Sequence, residues 1–463
     1  LSGALLAMAT IAAPPADAQT LFDDDRVDFG GVNGEAFSVR AVGDQLWVGG
    51  TFSQAMDPNL TSSYTRWNLA LFDFNTGDVL PWTLDTNHKV KAIESDDEST
   101  VWVAGNFTEI DGQGVTYVAA IDAFSGEVLD SFNVHLNDEA NALHYDQGWL
   151  YIAGEFWQVN GLNYRTLVRV DAFTGELDTN FRPNPDEQVH SIDFFGGIVY
   201  AGGEFEQVGT GADSYDRRWV AGFDADSGQP AGPDFVLAPL NPGEASHRAG
   251  VLRVDVSADG QYLYTADKRN FVRQWDRTTG QELWDTRAQG DIQAVAADGD
   301  SVYVGTHDGF LQSDDERLLF ALNASDGSAD DTFLPLMNAY WGTRQITLSQ
   351  GALIAVGDFT TIKGVPSPRL AVFHGPDWTG AQPLMPSYTP GDVSCDSVPD
   401  IADALLIAQF SVGLRTQADT CDSVDPSGQI GPGGDVNGDG VVDVADALLV
   451  AQCSVGLSNV FCP

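Results

Sequence analysis

Over most of its length the chain places apolar residues in short runs bounded by Gly, Asn and Asp, a pattern that predicts strands joined by tight turns. One such run recurs seven times at a spacing of about fifty residues. It reads Asn68 to Phe74 (NLALFDF), Tyr117 to Phe124 (YVAAIDAF), Thr166 to Phe173 (TLVRVDAF), Trp219 to Asp226 (WVAGFDAD), Phe271 to Thr278 (FVRQWDRT), Leu318 to Ser325 (LLFALNAS) and Arg369 to Pro376 (RLAVFHGP). In the first six copies a glycine follows within a few residues, at 77, 126, 175, 228, 280 and 327. A turn that needs positive φ, followed by a further strand, accounts for it.

Upstream of each copy lies a second strand. It is clearest as LWVGGTF, VWVAGNF, LYIAGEF, IVYAGGEF and LIAVGDF, ending at Phe52, Phe107, Phe156, Phe205 and Phe359, and diverges to YLYTAD and SVYVGTHD in units five and six. A third β-rich run precedes these, as at Val90 to Ile93 and Val189 to Ile192. Each unit therefore holds about four strands. That is the size of a propeller blade, because one twisted sheet buries both faces only when neighbours stack around an axis. The small residues of the second strand are expected near the axis and its Phe between blades.

The GxF strand, the turn ending in Gly112, Gly161 or Gly364, and the following "TGE-L---F" segment resemble delta-60 type bacterial β-propeller repeats. Unit five, with VDVSADGQYLYTAD and VRQWDRTTG, is similar to WD40 or quinoprotein-type blades. The resemblance spans residues 30–378. It implies a fold and leaves function open, since propellers host enzymes, binders and scaffolds alike.

The final segment follows a different pattern. Residues 392–414 (DVSCDSVPDIADALLIAQFSVGL) and 435–457 (DVNGDGVVDVADALLVAQCSVGL) repeat each other almost residue for residue. In the second copy Asp435, Asn437, Asp439, Asp443 and Asp446 occupy loop positions one, three, five, nine and twelve. Gly440 stands at the sharp turn, and Val441 would offer its carbonyl. A hard cation with six to eight oxygen ligands needs that spacing, so two Ca2+ ions are expected, one per loop. The first loop supplies Asp392, Ser394, Asp396, Val398, Asp400 and Asp403; with Ser397 in place of the turn glycine it should bind more weakly. Apolar residues after each loop then recur at helical spacing: Ile401, Ala404, Leu405, Ala408 and Val412, and Val444, Ala447, Leu448, Ala451 and Val455.

A loop followed by one helix, duplicated across a linker, resembles a type I dockerin. That resemblance implies a cohesin-like partner on a scaffold or surface protein. It also implies a contact surface at Ile401, Ala402, Ala408 and Gln409 and, in the other half, Val444, Ala445, Ala451 and Gln452. Nearly equal halves would allow docking in two orientations. Apolar residues stand where a Ser/Thr pair is often found, which puts the identity of the partner in question.

Composition narrows the setting. The 463 residues carry a formal charge of −45, and the only lysines are Lys89, Lys91, Lys268 and Lys363, which excludes nucleic acid as a natural partner. Residues 1–18 are apolar and end in Ala16, Asp17, Ala18, matching a signal-peptidase site with cleavage before Gln19. With no basic region ahead of it, Leu1 is expected to lie inside that leader. No later stretch is long and apolar enough to span a membrane. Cys395, Cys421, Cys453 and Cys462 all fall in the last module, as two disulfides of an exported protein would; three pairings are open, among them Cys395 with Cys453 and Cys421 with Cys462.

The expected architecture is thus mainly β: a leader at 1–18, a seven-bladed β-propeller over 19–378, a linker at 379–389, and a small all-α, calcium-binding, dockerin-like domain over 390–463. Chemistry is harder to locate. No HExxH, GxSxG, phosphate-binding glycine loop or CxxC occurs, and His88, His135, His144, His190, His247, His307 and His374 are scattered. Asp111, Glu155, Glu204, Asp267, Asp308 and Asp358 recur at blade-equivalent positions, so a ring of carboxylates at one rim is expected. Loop aromatics Trp157, Tyr164, Tyr215, Tyr340 and Trp341 are candidates to stack on sugars. The leading expectation is a secreted propeller that binds a glycan or protein and is held in an extracellular assembly by its tail. The alternative is a polysaccharide-degrading O-glycosyl hydrolase or lyase with unknown catalytic residues.

Overall fold

The computed structural model describes residues 22–209, 214–237, 250–288, 290–307, 317–339, 341–376 and 378–381, with five further positions nearer the C-terminus. The chain divides into two compact units, Leu1–Pro383 and Leu384–Pro463. The first is built from strands.

Seven antiparallel sheets follow one another among its described residues, each an up-down-up meander. Their first strands are Glu35–Val42, Val90–Ser95, Ala140–Asp146, Val189–Phe195, Val251–Val256, Ile292–Asp298 and Thr343–Ser349. The recurring run found in the sequence forms the third strand of each sheet, from Leu69–Asp73 to Leu370–His374. A fourth strand completes sheets four to six, and single bridges (Phe72 to Val79, Ile121 to Val128, Val170 to Leu177) extend the first three. On the seventh sheet the N-terminal segment takes that edge, with Val27 N donating to Val372 O at 2.9 Å.

The turn after the first six third strands is as expected, with one added device in the five that end in aspartate. The aspartate ending the strand accepts the next free backbone N–H groups, as Asp171 Oδ1 does from Phe173 and Thr174, and the following glycine sits at φ near +70°, as at Gly175. The alanine after that aspartate, or after Asn323 in the sixth sheet, has a separate role: its carbonyl accepts a side-chain donor from the preceding sheet. Gln45 Nε2 reaches Ala123 O (3.1 Å), Trp102 Nε1 reaches Ala172 O (2.9 Å) and Gln274 Nε2 reaches Ala324 O (2.9 Å). Neighbouring sheets share no ladder, so these bonds satisfy buried polar groups where two sheets meet.

The second strand packs as its composition requires. Phe156, Phe205 and Phe359 are fully buried in the clusters between sheets, and Phe107 is as fully buried. A Cβ on Gly154 would come within 2.3 Å of Glu139 O, where the chain entering the first strand crosses over it. In the second unit the described positions Leu405, Ala408, Ala447, Leu448 and Ala451 are helical, Ala447 is buried, and Leu405 and Leu448 are exposed rather than core. The calcium loops, the four cysteines and the leader lie outside the described residues.

Candidate functional site

The first strands of all seven sheets line one cavity of about 510 Å³. Adjacent first strands run the same way: Ser191 Oγ accepts from Val254 N (2.9 Å) and Asp193 Oδ2 from Val256 N (2.6 Å), a constant offset along both chains. Asp255 Oδ2 repeats the bond to Ala297 N (2.9 Å), and Gln345 Oε1 accepts from Val39 N (3.0 Å), joining the seventh sheet to the first. Side chains thus supply the acceptors that strand pairing would otherwise provide. Every one of these strands also carries a β-bulge near its start, which turns the residue at the bulge (Lys91, Asn141, His190, Arg344 among them) out of the ladder.

The two ends of the cavity differ chemically. Near the strand starts, Lys91 Nζ bonds Glu139 (2.5 Å) and Asn141 Oδ1 (2.7 Å), Lys268 and His190 both meet Glu204, and Arg344 pairs with Glu35 (2.5 Å). The hydrogen bond from His190, working against burial and reinforced by Lys268, holds the Glu204 carboxyl at about 2. Near the strand ends, Arg40 pairs with Glu94 (3.1 Å) and Asp97 (3.1 Å). Burial pushes the Glu94, Asp193 and Asp255 carboxyls up, for Asp255 further because Asp193 adds like charge, and burial pushes the His144 imidazole down.

The expected ring of carboxylates is a mixed ring instead. Strand register makes Thr51, Asn106, Glu155, Glu204, Lys268, His307 and Asp358 equivalent, each following the residue paired with the last position before the bulge of its first strand. Asp267 falls one residue earlier, where it is buried, accepts from Arg269 and Phe271 N–H groups and pairs with Arg273. Asp111 lies in a hairpin further on and accepts from Asp85 N (2.8 Å). Asp308 lies outside the described residues.

The loop aromatics divide. Tyr164 is buried, its hydroxyl accepting from Arg182 (2.6 Å), so it is not a contact surface; Tyr340 lies outside the described residues. Trp157, Trp341, Tyr215, Tyr64 and Trp67 are exposed, Trp157 most of all at 64%. All five lie in connections between second and third strands or in the entry to a first strand, and in an up-down-up meander both belong to the end where the cavity's lysines lie.

The sequence reading missed the clamp that holds these connections. Asn33, Asn137, Asp186 and Asn338 each use Oδ1 to accept two successive N–H groups of the neighbouring hairpin; for Asn137 they are Trp157 (2.9 Å) and Gln158 (2.8 Å). A recurring Asn or Asp a few residues before the first strand in most of the repeats is the signal that marks it.

These features define a mainly β, propeller-type repeat protein. A family model described as "Outer membrane protein assembly factor BamB" matches residues 216–331, and one described as "Domain of unknown function (DUF5122) beta-propeller" matches residues 148–181. No dockerin family match accompanies them. No curated protein matches the chain. Among solved structures, the crystal structure of the computationally designed Ika8 protein is similar at 13% identity and a TM-score of 0.48, over 75% of this chain and 98% of that one.

Proposed function

We propose that the chain is an exported seven-bladed β-propeller that binds a glycan on the aromatic end of its ring, and that a calcium-dependent, dockerin-like tail docks it to a cohesin-like partner. The hydrogen bonds from Val39 N to Gln345 Oε1 and from Val27 N to Val372 O support a ring closed between its first and last blades. The observation that carries the binding reading is the exposure of Trp67, Trp157, Trp341, Tyr64 and Tyr215 on one end, the end where the cavity's lysines lie. Exposed rings suit stacking on the apolar face of a sugar, and the clamped hairpins hold them in place at little conformational cost. The tail reading is supported by the duplicated Asp435 to Asp446 loop pattern alone.

A degradative enzyme is the weaker reading, because the cavity carboxyls already have partners. Asp193 and Asp255 accept from neighbouring strands and Glu94 pairs with Arg40. A glycan array run beside a polysaccharide-degradation screen separates the two readings. Binding that is lost in Trp157→Ala without a change in melting temperature supports the binder; release of reducing ends from any polysaccharide overturns it.

A further inference from the structure

Three of the chain's four lysines, Lys89, Lys91 and Lys268, stand at the entrance of the cavity, although the protein as a whole carries a charge of −45. They and Arg344 are matched by Glu139, Glu204 and Glu35. Arg253, which lines the cavity just inside, is different. Among the described residues its guanidinium donates only to the carbonyls of Leu252 (2.9 Å) and Arg344 (3.3 Å), and no carboxylate pairs with it.

Its position makes a structural role insufficient. Arg253 occupies the register of Ser191 and Gln345, each of which accepts a hydrogen bond from the next first strand. Arginine has no acceptor and cannot form that bond. Instead it passes the sixth sheet, where the equivalent residue is Ala294, and reaches Arg344 on the seventh. Ala92 and Ala142 hold the same register across the cavity and leave space in front of it. Gln345 lines the same space; its Oε1 is taken by Val39, which leaves its amide nitrogen to donate.

We infer that Arg253 and Gln345 form an anion-recognition site in this cavity that takes the carboxylate of an acidic sugar residue; the anion follows from the cavity itself, and the sugar rests on the glycan-binding reading above. A planar guanidinium matches a carboxylate in bidentate fashion, and the low-dielectric wall strengthens that pair. Burial, with Arg344 nearby, lowers the guanidinium to about 10, which leaves it charged at neutral pH and without a counter-charge until a ligand supplies one.

The test uses the full chain at fixed ionic strength, with glucuronate, acetate and glucose as probes, read by calorimetric titration and thermal melting. Glucuronate should bind and raise the melting temperature while glucose at the same concentration does neither. Arg253→Met should abolish the response to glucuronate yet melt no lower than the parent without ligand, since it removes an uncompensated charge. Arg253→Lys keeps the charge but loses the planar fork, and should bind about tenfold more weakly. A parent protein indifferent to both glucuronate and acetate, or either variant responding as the parent does, overturns the site. A response to acetate but not to glucuronate upholds the anion site and overturns the sugar, so the two failures are distinct.

Discussion

Arg169 offers the sharpest test of how neighbouring sheets are held together. Its side chain is buried on the third sheet between the Trp149 ring (4.4 Å from the guanidinium carbon) and Asp178, whose Oδ2 accepts from Nε at 2.9 Å and also from a terminal nitrogen. The other terminal nitrogen donates to Ala225 O at 2.5 Å, in the turn of the fourth sheet. Burial opposes the charge most strongly, but Asp178 and Tyr151 together outweigh it and the guanidinium is raised. Asp178→Ala leaves this buried cation with only the exposed Asp226 carboxylate at 3.4 Å, and loss of a buried partner costs about 3–5 kcal/mol. The lower end applies here because the bond to Ala225 survives. Unfolding entropy of about 2.1 cal/mol/K per residue over the roughly 360 residues from 22 to 381 converts about 3 kcal/mol into a fall of about 4 °C in the propeller transition. Differential scanning calorimetry reads it directly. The double variant Arg169→Met with Asp178→Leu should recover most of the loss, since an apolar pair removes both desolvation penalties. A single variant that melts within 1 °C of the parent, or a double variant that melts as low as the single, refutes the reasoning.

Other consequences follow from the same geometry. Gly228 and Gly161 share a positive φ (69° and 77°), but a Cβ on Gly228 would lie 2.5 Å from Arg182 N while one on Gly161 meets nothing within 4 Å; Gly161→Ala should cost about 1 kcal/mol and Gly228→Ala clearly more, measured by denaturant midpoint. Asp255 has its folded pKa well above the unfolded value of about 3.9, so its ionisation opposes folding: Asp255→Asn, whose carbonyl can still accept from Ala297 N, should match the parent below about pH 4 and melt higher than it at pH 7. A profile in which the variant is less stable at neutral pH would show that the carboxylate itself holds the fifth and sixth sheets together. Calcium should raise the melting temperature of the tail and chelator should reverse it, with Asp435→Ala plus Asp439→Ala abolishing the response; a thermogram indifferent to calcium removes the metal loops from the account.

Most of the fold was legible because it rests on local signals that repeat. The third strand, its Asp and its positive-φ glycine lie within ten residues of one another, and their recurrence along the chain reinforces what one copy would leave ambiguous. The rim was misread for a reason that is equally local. Units five and six lack the GxF ending, so counting back from the phenylalanine has no anchor there, and Asp267 stood in for a ring position that belongs to Lys268. The aromatic in mid-strand is the better anchor: Trp47, Trp102, Tyr151, Tyr200, Tyr264 and Tyr303 are all buried, and alignment on them places Lys268 opposite Glu204 without any structure.

The cavity lining is a different case, because no local pattern encodes it. Alternation along a strand tells which residues share a face, but the bulge at the start of every first strand shifts that phase by one, and a one-residue shift exchanges lining for packing positions. Arg253 sits just past such a bulge. In the sequence it is one arginine in a stretch reading VLRVDV; only the side-by-side register of seven strands shows that its counterparts are small or hydrogen-bond acceptors. A departure from the repeat at a lining position carries more information than the repeat itself, since whatever the shared residues do for the ring, the exception must do something else.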